Sequence, residues 1–260
     1  MPDTFQPHPP GKPDYTELSF PDAPAERPYI LINMVAALDG KITVQGAERG
    51  LGSPTDQRLM RELRVNADIV LNGAGTLRVS GISSRLDVEE LERIRVGRGL
   101  APQPISAVLS RSGNLPLDRR FFTALDEFDA VLYLSTAAPP ASRDALRATG
   151  RLIIDVPAEA ELPAMLRHMR HELGVQICLV EGGPTLNGAL FDQDAVDELF
   201  LTLGPVIAGG PDTLTAVESH TAPTLDSLHR MDLVHAIPNP ETDEVYLRYR
   251  TRPAQSNTAS

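Results

Sequence analysis

Short apolar runs alternate along the chain with segments in which apolar positions recur at helical spacing. The runs of strand length are residues 29–37, 68–72, 105–109, 130–134, 152–155 and 177–180. The helical segments are one beginning at residue 54 and those near residues 87–95, 142–148, 160–173 and 186–191. This alternation predicts an α/β fold with a mostly parallel central sheet flanked by helices.

The two ends of the chain differ from this pattern. Residues 198–203 alternate in polarity, and residues 231–236 and 244–250 predict a closing antiparallel strand pair. Residues 1–27 are rich in proline and predict an extended or disordered arm, while residues 253–260 predict a polar tail. We find neither an internal repeat nor a flexible linker between them, so residues 28–252 are predicted to form one domain.

The segment that follows the run at residues 177–180 is the most informative one. Glu181 ends the apolar run, and a helix-like pattern then opens with Gly182, Gly183, Pro184, Thr185 and Leu186. Paired glycines let a ligand approach the backbone, and a helix start favours an anion such as a phosphate. An ordinary strand-to-helix turn explains the glycines alone. Glu181 favours a ligand, because ligands of open α/β sheets lie at the carboxyl ends of the strands.

A second glycine turn follows the run at residues 68–72. Gly73, Gly75 and Thr76 again suit close approach by a phosphate or a flat ring, although this pattern alone is a weak signal. Two glycine turns at strand ends of a nearly parallel sheet indicate a nucleotide ligand.

Composition excludes several classes of partner. The chain has 260 residues, of which 42% are hydrophobic, so it is long enough to bury a sizeable core. Its net charge of -11 argues against nucleic acid and against an anionic membrane surface. We recognise neither a signal peptide nor a membrane-spanning run, and a single cysteine excludes a disulfide framework, so we expect a cytoplasmic protein. His168 and His171 lack a matching ligand cluster, so no metal is expected.

Taken in order, the motifs of this chain resemble the riboflavin-biosynthesis pyrimidine reductase family, the reductase domain of bifunctional deaminase-reductases. The resemblance rests on residues 27–29, 38–41, 73–76, 181–186, 196–199 and 205–210. It implies a dihydrofolate-reductase-like fold, NADPH as cofactor, a homodimer, and reduction of the ribosyl group of a ribosylaminopyrimidine phosphate to a ribityl chain. It implies no deaminase partner within this chain, because one cysteine cannot supply the deaminase zinc site.

The resemblance also implies site residues. The cofactor is expected at Val35, Gly50, Gly73, Gly75, Thr76, Gly182, Gly183, Pro184, Thr185 and Leu186. Glu181 is expected to orient the pyrimidine or relay a proton, and Arg64 to contact the substrate. Where the family usually has Asp-Ser after the third strand, this chain has Ser110-Arg111. Arg111 suits the 2′-phosphate that distinguishes NADPH from NADH.

Other candidates are less distinctive. Asp39 is a second catalytic candidate, but an Asp-Gly turn explains it equally well. Asn33, Lys41 and Arg85 are further candidates for substrate binding, the cations because the substrate carries a phosphate.

The segment at residues 77–85 departs from the family. It lacks the Asp-Asp-Pro stretch that the family commonly has, and Arg78 or Arg85 stands near the expected phosphate-binding arginine. The cofactor half therefore looks retained while the substrate half looks altered. Two alternatives stay open: a reductase of the same fold that acts on another substrate such as a dihydropterin, and a nucleotide-binding module without turnover.

Overall fold

The computed structural model describes residues 9–44, 46, 50–81, 84–211, 213–219, 221–222, 224–225 and 227–252. The polar tail predicted at residues 253–260 and the first eight residues of the predicted arm lie outside the described residues. The strands of the described part are β1 (Tyr29–Ala37), β2 (Ile69–Gly73), β3 (Ile105–Ser110), β4 (Ala130–Ser135), β5 (Leu152–Val156), β6 (Ile177–Val180), β7 (Glu198–Gly204), β8 (Met231–Asn239) and β9 (Glu244–Thr251). Its helices are α1 (Pro54–Asn66), α2 (Ala74–Ser80), α3 (Glu89–Gly97), α4 (Arg120–Thr123), α5 (Pro140–Arg147), α6 (Glu161–His171) and α7 (Pro184–Phe191).

All of these strands join one sheet in the order β5-β4-β3-β2-β6-β1-β7-β9-β8. The first seven strands of that order, β5-β4-β3-β2-β6-β1-β7, pair in parallel. Strand β9 pairs antiparallel with both β7 and β8. The predicted α/β architecture, with a parallel centre and an antiparallel strand pair near the carboxyl terminus, is therefore confirmed.

The centre of the sheet is apolar on both faces. Ile30 and Ile32 of β1 belong to the core that contains α6 and α7, whereas Leu31 faces the core that contains α1. This alternation explains why β1 is almost continuously apolar, as expected for a strand covered on both sides. Because β2, β6 and β1 are neighbours, their carboxyl ends meet at one edge of the sheet.

Residues 9–27 contain neither a helix nor a strand and pack against α1 and the sheet. The Tyr15 side chain is buried, and its ring lies edge-on to Phe200 with 5.2 Å between the centroids. The Asn66 side-chain amide donates a hydrogen bond of 2.7 Å to the Tyr15 carbonyl oxygen. The described part of the arm thus fixes the outer side of α1. The division into arm, domain and tail stays a prediction.

Two helices, α2 and α4, are absent from the sequence-based prediction. Helix α2 contains Gly75 and starts directly after Gly73, so its sequence is typical of a turn. Its Leu77 is nevertheless buried in the core, and this tertiary contact favours the helical conformation. Helix α4 is a single turn whose two phenylalanines are buried. Both helices depend on packing rather than on a local pattern.

Ser53 is the N-cap of α1. Its hydroxyl oxygen accepts hydrogen bonds from the Thr55 and Asp56 backbone N–H groups at 3.1 and 3.3 Å, and the hydroxyl donates to Glu244. We expect Ser53→Ala to lower the free energy of unfolding by about 1 kcal/mol, because the first turn of α1 loses its cap. Urea titration would measure this loss. Ser53→Thr retains a capping hydroxyl and should lose less, so equal losses would contradict the capping role.

Candidate active site

The two glycine turns lie side by side, because β2 and β6 are adjacent strands. The Gly73 N–H donates a hydrogen bond of 2.9 Å to the Gly182 carbonyl oxygen. A Cβ atom added to Gly73 would lie 3.4 Å from the Gly183 nitrogen, and one added to Gly183 would lie 3.4 Å from the Thr76 hydroxyl oxygen. The absence of side chains at these glycines leaves a shallow cradle of backbone atoms. We call the residues Gly73, Thr76, Gly182 and Gly183 the glycine cradle.

Two helices begin at the glycine cradle. Gly73 is the N-cap of α2 and Gly183 is the N-cap of α7, and neither residue supplies a side-chain cap. The backbone N–H groups in the first turn of each helix therefore have no N-cap side chain to accept their hydrogen bonds. Such helix starts favour phosphate groups, and the missing Cβ atoms let a flat or charged ligand reach the backbone. The cradle thus fits a nucleotide.

A cavity of about 1230 Å³ opens over this edge of the sheet. Its volume slightly exceeds the usual range of small-molecule sites, which is about 300–1,000 Å³. Of the predicted cofactor residues it is lined by Val35, Gly50, Gly73, Gly75, Thr76, Arg111, Gly182, Gly183, Pro184, Thr185 and Leu186. Of the predicted catalytic and substrate residues it is lined by Asn33, Arg64 and Glu181. Residues far apart in sequence therefore share one cavity, while their individual roles stay predictions.

A buried ion pair lies at the inner end of the cavity. The Arg64 Nε and Nη2 groups donate to the two carboxylate oxygens of Glu181 at 2.6 and 2.8 Å. The side chains are only 6% and 3% exposed. Arg64 also donates through Nη1 to the Arg85 carbonyl oxygen. A doubly hydrogen-bonded arginine and carboxylate hold each other in a fixed plane, so Glu181 presents an oriented acceptor to the cavity.

Helix α1 supplies a wall of the cavity that the sequence interpretation missed. Asp56, Met60 and Arg64 are spaced by four residues, so they share one face of the helix, and Gln57 lines the cavity beside them. The Asp56 carboxylate lies so close to Gly52 that a Cβ atom there would be 2.3 Å from its Oδ2. Their four-residue spacing from Arg64, a predicted substrate contact, could have predicted that Asp56 and Met60 also line the cavity.

Three predicted residues are not among those that line the cavity. The Asp39 carboxylate accepts hydrogen bonds from the Ala208 and Gly209 backbone N–H groups at 3.2 and 2.7 Å. The Gly209 hydrogen bond is the main reason that the pKa of Asp39 lies below its usual range. Asp39 thus binds the loop at residues 208 and 209, and its catalytic role stays a prediction.

The other two are cations. Lys41 donates a hydrogen bond of 3.0 Å to the Thr213 carbonyl oxygen. Arg85 pairs with Asp87 and Glu127 at 3.0 and 2.6 Å. The destination of a long cationic side chain depends on its tertiary neighbours, which a sequence pattern does not reveal. These two cations are thus engaged away from the cavity.

Comparison with known proteins identifies the family. A family model described as the RibD C-terminal domain matches residues 28–237. The chain belongs to the RibD C-terminal domain family. It is 29% identical over 196 residues to a 2,5-diamino-6-ribosylamino-4(3H)-pyrimidinone 5′-phosphate reductase of Archaeoglobus fulgidus, which covers 75% of this chain and 88% of the relative. A relative of the same name from Methanothermobacter thermautotrophicus is 28% identical over 207 residues and covers 80% of this chain and 91% of the relative.

A solved structure shares this fold. A pyrimidine reductase-like protein from Corynebacterium diphtheriae superposes with a TM-score of 0.77 at 21% identity, covering 86% of this chain and 92% of that one. At this identity the likeness concerns the fold alone. The family match and the reductases named above confirm the predicted resemblance and the prediction of an oxidoreductase.

Among the residues that the structure describes, no helix is both long and apolar enough to cross a membrane. Within the same residues, no group of three His, Cys, Asp or Glu side chains is arranged to hold a metal ion.

Proposed function

We propose that this member of the RibD C-terminal domain family uses NADPH to reduce the ribosyl group of a ribosylaminopyrimidine phosphate to a ribityl chain, a step of riboflavin biosynthesis. The observation that carries the proposal is the common cavity of the glycine cradle and the Arg64–Glu181 pair. The cradle suits a nucleotide phosphate, and the oriented carboxylate suits the N–H groups of an aminopyrimidine. The names of the two archaeal relatives support the same substrate class.

The residues of the chain position and shield the reactants. A bound reduced nicotinamide supplies the hydride. Glu181, fixed by Arg64, accepts hydrogen bonds from the pyrimidine ring and so sets the angle at which the ribosyl carbon is presented. Met34 and Met60 line the same cavity and provide apolar walls that exclude water from the reacting carbon. The protein therefore contributes mainly by orientation.

A direct assay tests the proposal. Purified protein is mixed with NADPH and either the diaminopyrimidinone or the aminouracil form of the ribosylamino phosphate. We expect loss of nicotinamide absorbance together with a product that is heavier by two hydrogens in mass spectrometry. If neither pyrimidine is reduced while NADPH binds, the substrate assignment is wrong.

A dihydropterin is the second candidate substrate, and the positions of Lys41 and Arg85 favour it. Both cations were predicted to hold the substrate phosphate, but their side chains bond to other groups and are not among the cavity-lining residues. A dihydropterin carries no such phosphate, so its binding does not require Lys41 or Arg85. Oxidation of NADPH with a dihydropterin alone would favour this candidate.

We also propose a homodimer, which the family resemblance implies, and a cytoplasmic location, because a single cysteine excludes an internal disulfide framework. Light scattering after gel filtration would test the dimer. A molar mass equal to that of one chain at micromolar concentration would contradict it.

Gly183→Ala is expected to weaken NADPH binding at least about 10-fold, because the added methyl group fills the cradle beside Thr76 at 3.4 Å. Its backbone φ of -73° lies in a region that alanine commonly adopts. Fluorescence titration would measure the affinity. Gly97→Ala is the control, since nothing lies within 4 Å of a Cβ atom there. Unchanged affinity in Gly183→Ala would place the nucleotide elsewhere.

A further inference from the structure

The cavity continues from the glycine cradle past the carboxyl end of β3. Leu109 and Arg111 line it there, together with Glu159 and Glu161 at the start of α6. Strand β3 is the neighbour of β2, which carries Gly73, so the two strand ends are about 5 Å apart. This outer end therefore borders the cradle on the side opposite to β6 and Glu181. A nucleotide whose phosphates lie in the cradle has room to extend toward Arg111.

An arginine and a carboxylate meet at this outer end. The Arg111 Nε donates to Glu161 Oε1 at 3.0 Å, and its Nη2 donates to Oε2 at 3.0 Å. The Arg111 side chain is 77% exposed, whereas that of Glu161 is 10% exposed. A guanidinium has five N–H donors, and the paired geometry uses two of them. The remaining donors leave Arg111 able to bind a second anion while Glu161 fixes its orientation.

The two groups recognise opposite features of a nicotinamide nucleotide. The ribose near the adenine carries a 2′-phosphate in NADPH and a 2′-hydroxyl in NADH. An arginine binds the phosphate through charge-assisted hydrogen bonds, and a carboxylate accepts a hydrogen bond from the hydroxyl and repels the phosphate. The pair of Arg111 and Glu161 therefore holds one group suited to each nucleotide.

We propose that Arg111 and Glu161 are the specificity-determining pair for the nicotinamide nucleotide, with Arg111 favouring the 2′-phosphate and Glu161 favouring the free 2′-hydroxyl. The inference rests on the nucleotide of the proposed function, and it is independent of which substrate is reduced. The two residues act in opposition, so the preference of the chain depends on their balance.

Reciprocal variants test this opposition by binding measurements. Arg111→Gln is expected to weaken NADPH binding about 10- to 100-fold while NADH affinity stays within about 3-fold, because only the phosphate loses a charged partner. Glu161→Gln is expected to move the ratio of the two affinities about 3- to 10-fold in the other direction, toward NADPH. Fluorescence titration gives both dissociation constants without turnover.

Two nicotinamide-free probes separate the outer end from the reacting end. Calorimetric titration with 2′,5′-ADP and with 5′-AMP should reproduce the dependence on Arg111, since these compounds differ only in the 2′-phosphate. Arg147→Gln and Asp155→Asn are matched controls, because this exposed arginine and carboxylate pair at 3.0 Å and are not among the cavity-lining residues. Neither control should change the ratio of affinities.

The outcomes distinguish this inference from the proposed function. Ratios that stay constant in both variants, or that move in the same direction, overturn the specificity pair. If NADPH and NADH bind and the ratios shift as expected but no pyrimidine is reduced, only the substrate assignment fails. If the wild-type chain binds none of the four nucleotides, both proposals are wrong.

Discussion

Glu181→Gln is expected to lower kcat/KM for the pyrimidine substrate by about 100-fold or more, with NADPH affinity unchanged within a few-fold. In the wild-type chain both carboxylate oxygens of Glu181 accept from Arg64 at 2.6 and 2.8 Å. A glutamine places an N–H2 group against the guanidinium, so the side chain must turn. The acceptor that faces the substrate is then lost or misplaced, whereas the backbone of the glycine cradle is retained.

Steady-state kinetics and fluorescence titration with NADPH would separate these two effects. Glu127→Gln is the matched control, because Glu127 is an exposed carboxylate that is paired with Arg85 and is not among the cavity-lining residues. A Glu181→Gln protein that loses NADPH binding as strongly as activity would show instead that Glu181 supports the glycine turn.

Arg64→Met is expected to lower the free energy of unfolding by about 3–5 kcal/mol, because it leaves the Glu181 carboxylate buried without its charged partner. Glu181 is only 3% exposed, so in the folded chain the guanidinium supplies the hydrogen bonds that replace hydration of its carboxylate. The same change removes the hydrogen bond from Arg64 to the Arg85 carbonyl oxygen, which connects α1 to the segment before α3. Urea unfolding followed by circular dichroism would measure the loss.

A double variant distinguishes the charge from the packing. Arg64→Met combined with Glu181→Met removes both charges and should recover most of the stability, while reductase activity stays absent. A loss below about 1 kcal/mol in the single variant would mean that solvent reaches the pair. The interpretation of a buried ion pair would then be wrong.

Part of the site could be predicted because some of its residues are close together in the sequence. Glu181 and Gly183 are close in sequence, and an apolar run followed by glycines and a proline determines both the strand and the turn. The meeting of this turn with the one at Gly73 follows from the adjacency of β6 and β2. That adjacency is a property of the whole sheet, and the family resemblance implied only that both turns bind one cofactor.

The destinations of long side chains could not be predicted in the same way. Lys41, Arg85 and Arg111 are all cations that follow or precede apolar segments, yet the first two bond to other groups and only Arg111 lines the cavity. Their partners lie far along the chain, since Lys41 bonds to Thr213 and Arg111 pairs with Glu161. The wall formed by Asp56 and Met60 was missed because their spacing is also that of an ordinary amphipathic helix.

Strand β1 lies between β6 and β7, whose residues follow it by well over a hundred positions in the chain. On the ribosome, β2 to β5 can pair as they emerge. Strand β1 cannot pair until β6 and β7 have been synthesised. Contacts of such long sequence separation fold slowly, on a scale of about milliseconds to seconds. The edge of the sheet that carries Asn33 and Glu181 is therefore assembled late, and truncated nascent chains should have no reductase activity.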